Sequence, residues 1–139
     1  MSTTDQRAPW TNRTSHSELD ELLFGPLAPG AEPVAGRLLL DLLAESGVRP
    51  HGGPEYLGGG CWVLRFRTEG GGGLWVSDAM ARVGHPVDHH SGWTVARVAD
   101  LTEGDIDGES VPLYLAADGT GFAEDTAACA AVIRAHAAR

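Results

Sequence analysis

Three of the six histidines fall in one short run, His85-Pro86-Val87-Asp88-His89-His90, closed by Gly92. Neutral imidazole is the common nitrogen ligand of zinc, and His85 and His89 have H-x3-H spacing. Pro86 suits the first position of a single helical turn. On such a turn His85 and His89 face one ion, and Asp88, or Asp78 before the run, completes the set. Zinc is the ion expected there. The spacing brings neither a third ligand at a diagnostic interval nor the glutamate of an HExxH motif. The competing readings are an exposed polar loop whose histidines are simply solvated and, separately, a pH-sensitive binding loop.

A second constellation is acidic. Between Asp100 and Asp125 the chain carries eight carboxylates and no basic residue, and five of them, Asp100, Glu103, Asp105, Asp107 and Glu109, crowd one turn. The stretch Glu103 to Gly108 partly mimics a calcium loop. It has glutamate at the first ligand position and Tyr114 where the bidentate glutamate belongs, so a calcium hand is not expected. The stronger functional reading is a surface that recognises arginines or lysines of a protein partner; the plain alternative is a solvated turn.

Arg65, Arg67 and Arg97 form a third set. On one face of a sheet their guanidiniums would bind a carboxylate or phosphate of a small ligand, although arginines on an open sheet face are also ordinary. No catalytic residue is assigned. Cys61 and Cys129 sit in apolar patterns that raise a thiol pKa, and no serine occupies a nucleophile elbow.

Composition narrows the partners. The 139 residues carry a net charge of −9, and the ten basic residues are all arginines. Without lysine there is neither Schiff-base chemistry nor a P-loop. The negative field opposes nucleic acid and favours a cationic protein. No apolar run approaches the roughly 18 residues of a membrane span. The polar start of the chain lacks an apolar leader core, so a cytoplasmic location is expected. Two cysteines among apolar neighbours read as thiols rather than a disulfide. The alanine-, glycine- and arginine-rich, lysine-free composition suggests a GC-rich bacterial genome.

The elements that position these groups follow from periodicity. Cys61 to Thr68 alternates strictly, with Trp62, Leu64 and Phe66 on one side, and Leu74 to Ser77 resumes the pattern after a glycine run. Together they predict a β-hairpin with a mobile tip. Its glycines lead into a strand rather than a helix, which excludes a phosphate-cradling loop. Strands are also predicted over Gly92 to Ala99 and Val111 to Ala116; Pro112 puts the latter at an edge or near its own start. Before the hairpin, a short helix is expected from about Glu18 to Phe24. A second opens at Pro33, presents Val34, Leu38, Leu39, Leu42 and Leu43, and ends at Gly47. The glycine- and proline-rich connection from Val48 leaves room for a short strand near Tyr56. Phe122 to Ala138 reads as the last helix, with Phe122, Thr126, Cys129, Ile133 and His136 on one face. Residues 1–14 are read as a disordered tail carrying Trp10.

The order of strands, acidic turn and closing helix in WTVARVADLTEGDIDGESVPLYLA and beyond resembles that of SUKH-type bacterial immunity proteins. The size and acidity are similar to those of small secretion chaperones. Both resemblances imply binding rather than catalysis. The expectation is therefore one α+β domain over residues 15–139, a four-stranded antiparallel meander covered by a helix from the first half and the C-terminal helix. Its expected role is that of a non-enzymatic module for a basic partner, with metal binding and small-ligand sensing as alternatives. The exposed edge strand leaves a homodimer open.

Overall fold

The computed structural model describes residues 16–99 and 110–138. It is an α+β domain in which three helices, α1 (His16–Phe24), α2 (Ala35–Ala44) and α3 (Phe122–His136), accompany a five-stranded antiparallel sheet. The strands run β1 (Glu55–Gly58), β2 (Cys61–Arg67), β3 (Gly73–Asp78), β4 (Trp93–Val98) and β5 (Ser110–Leu115), neighbouring one another in chain order. The meander has one strand more than the four expected. β1 pairs Glu55 with Val63 and Tyr56 with Trp62, then shifts register before Gly58. Four residues between Pro54 and a glycine run are too short to display a clear alternation, which is why the main expectation stopped at four.

The period-two pattern decides what the sheet buries. Leu64 pairs with Val76 and Val76 with Val95, while Phe66 pairs with Leu74. These side chains, with Trp62 and Trp93, form one face and join a single core with Leu19 and Leu23 of α1, Leu39, Leu40 and Leu43 of α2, and Cys129, Ala130 and Ile133 of α3. Burying each of these large aliphatic side chains contributes about 1.5–3 kcal/mol, the main stabilising term of the fold.

Two local features fix how α2 meets the β3–β4 connection. The N–H groups that open a helix have no partner within it. Here Ala35 N–H donates to the His85 carbonyl at 2.8 Å and Gly36 N–H to the Val83 carbonyl at 2.9 Å. Position 36 must lack a side chain, because a Cβ there would run into the Val83 carbonyl and the Leu23 side chain. This docking turns α2 so that Ala35, Gly36, Leu39, Leu40 and Leu43 are buried, while the expected Leu38 and Leu42 are only half-buried. Pro33 stands before the Val34 cap rather than inside the helix. Gly47 ends the segment at φ 78°, the left-handed conformation expected of it.

β5 is the outer strand on its side of the sheet, one of the two placements that Pro112 allowed. Its register with β4 slips between Val95 and Ala96, leaving Leu113 as the extra residue of a bulge. α3 buries Asp125, Thr126, Cys129, Ala130 and Ile133; His136, expected on that face, is exposed. The tail expected over residues 1–14 lies outside the described residues. None of the described helices is long and apolar enough to cross a membrane.

Candidate functional site: a buried histidine–aspartate chain beside a small cleft

Alternation along β3 places Leu74, Val76 and Asp78 on the inner face, so a carboxylate occupies the last apolar position of the strand. Asp78 is 1 % exposed. Its Oδ1 accepts the N–H groups of Met80 and Arg82 at 3.0 and 2.9 Å and thereby shapes the turn after β3. Ala81 of that turn adopts φ 59°. Oδ2 accepts from the Arg82 guanidinium and from the Ser91 hydroxyl, both at 2.9 Å. Burial alone would raise the Asp78 pKa; His85, Arg82 and Ser91 outweigh it and hold the group below its ordinary value.

His85, wholly buried, brings Nε2 to 3.4 Å from Asp78 Oδ2 and to 2.7 Å from His90 Nδ1. The two rings are within 7° of parallel with centroids 5.0 Å apart. A 2.7 Å contact between ring nitrogens reaches that separation only when the rings lie edge to edge and in line, the geometry of a linear hydrogen bond. His90 Nε2 in turn lies 2.7 Å from Asp125 Oδ2. Asp125 also accepts from the Trp93 N–H at 2.9 Å and, through Oδ1, from the Tyr114 hydroxyl at 2.5 Å.

The carboxylate ends assign the protons. An ionised Asp125 only accepts, so His90 carries its hydrogen on Nε2 and offers a lone pair at Nδ1. His85 must then hold its hydrogen on Nε2, pointing at His90 Nδ1 with Asp78 Oδ2 alongside. His85 Nδ1 is left as a buried lone pair with no partner among the described residues. Burial pushes the His85 pKa down to about 4, against the pull of Asp78. Burial, then Asp125, raises the Tyr114 hydroxyl well above its usual range, and the Cys129 thiol rises for the same two reasons. Trp93 Nε1–H donates to the Thr126 hydroxyl at 2.9 Å, so α3 is bound to β4 through both the indole and the backbone N–H of Trp93. Beside His90 and Ser91 opens a cleft of about 250 Å³, bounded on its far side by Ala116 to Thr120 and Phe122.

The histidine run is thus divided differently from the expectation. His85 is there, but Asp88 and His89 are exposed on the single 3-10 turn Val87–His89. The group that converges is Asp78, His85 and His90. His90 replaces His89 because this turn is tighter than an α-turn and is followed by extended backbone at His90. The cysteines remain free thiols, Cys129 buried and Cys61 half-buried.

The arginine set separates as well. Arg65 pairs with Trp75 and Arg67 with Gly73 on the outer face, whereas Arg97 pairs with Leu74 in the inner row. Arg65 lies 3.4 Å from Glu55, and Arg67 Nε–H donates to His51 Nδ1 at 2.9 Å. The His51 pKa is lowered by burial and by both arginines. The acidic set Asp100, Glu103, Asp105, Asp107 and Glu109 lies outside the described residues.

No family model, curated protein or solved structure matches this chain. Its function is read from its own residues.

Proposed function

We propose that this protein is a non-enzymatic binding module that recognises a basic protein partner. The observation that supports the reading is how charge divides between inside and outside. Among the described carboxylates, Asp78 and Asp125 are buried and Glu55 is half-buried; all the others are exposed. Four arginines have partners in the fold: the half-buried Arg37 with the Leu22 carbonyl, Arg65 with Glu55 and Arg82 with Asp78, and the exposed Arg67 with His51. The described surface is therefore predominantly negative, in keeping with the net charge of −9, and such a field speeds encounter with a cationic partner. The groups with reactive chemistry are spent on one another: each carboxylate oxygen of Asp78 and Asp125 already accepts a hydrogen bond. The sequence between β4 and β5 carries five further carboxylates, Asp100, Glu103, Asp105, Asp107 and Glu109.

The test is affinity capture from native extract at low salt, eluted with a salt gradient. The expected result is one stoichiometric basic protein that leaves as salt rises. A bait that retains nothing, or retains only proteins indifferent to salt, overturns the reading.

A further inference from the structure

Two Lewis-basic atoms, Asp78 Oδ2 and His90 Nδ1, face the hydrogen that His85 Nε2 carries at the end of the inner sheet face. Asp78 Oδ2, His85 Nε2 and His90 Nδ1 come from buried or half-buried residues and lie within 4.8 Å of one another. We propose that this triplet binds a divalent first-row transition cation, zinc or cobalt, in place of that hydrogen. Two imidazoles and a carboxylate are a donor set suited to such ions. The supporting shell is already built. His90 donates Nε2–H to Asp125, the carboxylate–histidine arrangement that orients a ligating ring and raises its basicity. Ser91 and Arg82 fix the Asp78 carboxylate. Of the three residues, His90 also lines the neighbouring cleft, together with Ser91.

The exchange balances without net proton release. The hydrogen on His85 Nε2 is carried on Nδ1 in the bound state, so both rings ligate as neutral imidazoles. Nδ1 is the atom able to take it, being buried and without a partner among the described residues. A donor unsatisfied at that point, and an Asp78 oxygen shared with Arg82, weaken the site and make the ion exchangeable. Metal–nitrogen bonds of about 2.0–2.1 Å set two tetrahedral nitrogens about 3.3 Å apart. The histidines must therefore part from 2.7 Å, whereas Asp78 Oδ2 and His85 Nε2 already stand at 3.4 Å.

The experiment is cobalt(II) titration of the untagged, chelator-stripped full chain, followed by visible absorption and thermal melting. The expected result is one equivalent bound, with tetrahedral d–d bands and a Tm that climbs with free metal. His85→Gln and His90→Gln should abolish the bands, while Asp88→Ala and His89→Ala should leave them. Should the buried variants fail to fold, nitrogen NMR of the wild-type imidazoles with zinc decides: His85 must change tautomer. Absence of stoichiometric uptake by the folded wild type overturns the proposal. So does an unchanged His85 tautomer on zinc addition, or binding that survives His90→Gln and is lost in His89→Ala.

Discussion

At His85 an imidazole is buried between the Asp78 carboxylate and the His90 ring yet kept neutral, and this has a direct consequence for stability. Its folded-state pKa of about 4 lies below the ordinary histidine value of about 6.5. Between those values the unfolded chain binds more protons than the folded one, so stability is complete above about pH 6.5 and is lost as pH falls towards 4. The linkage amounts to on the order of 3 kcal/mol over that window. Urea midpoints of the chelator-stripped protein at steps from pH 7 to 4.5 should fall accordingly, and His85→Leu should flatten the slope. A profile equally flat in the wild type would contradict the neutral, buried assignment. Asp125 supports a second expectation. Asparagine there would put an amide donor where His90, Trp93 and Tyr114 now all present donors. The Asp125→Asn variant should lose about 2–4 kcal/mol in chemical denaturation.

The elements that hold this chain were largely legible from periodicity, and the site was not. The hairpin, the later strands and all three helices follow from alternation and helical spacing. Asp78 and Asp125 carry a signal that hydrophobic patterning passes over: each is an acid in an otherwise apolar phase. Asp78 follows Leu74 and Val76 along β3, and Asp125 precedes Cys129 by four residues on α3. Which of His89 and His90 turns inward depends on one residue of a 3-10 turn, beyond what spacing resolves. Arg97 was separable, since its alternation with Trp93 and Val95 ties it to the inner row. The rotation of α2 depends on the contact between its first turn and the Val83–His85 backbone, a tertiary fact. That contact can be tested with a pair of substitutions. Gly36→Ala forces a methyl against the Val83 carbonyl and should cost roughly 2–3 kcal/mol, the scale of overpacking. Gly47→Ala meets open space at φ 78° and should cost only about 1 kcal/mol. Equal losses for the two would deny that α2 is fixed through its N-terminus.

For the whole molecule, the separation of charge is what bears on function. The exterior of the described residues is predominantly acidic, and the proposed recognition of a cationic surface draws on that. Neither visible edge strand is a regular template for sheet extension: β1 is four residues long with a register shift, and β5 carries Pro112 and a bulge. Recognition by complementary charge should respond steeply to ionic strength, because exposed pairs are screened within about 10 Å at 0.1 M salt. The decisive measurement is the dissociation constant of the captured complex across a salt series, for the wild type and for Asp105→Arg/Asp107→Arg. Wild-type affinity should fall as salt rises, and the double variant should bind at least tenfold more weakly at low salt, a loss of about 1.4 kcal/mol, with a shallower salt slope. Affinity unchanged by both the salt and the charge reversal would contradict the proposal that this acidic surface recognises a basic partner.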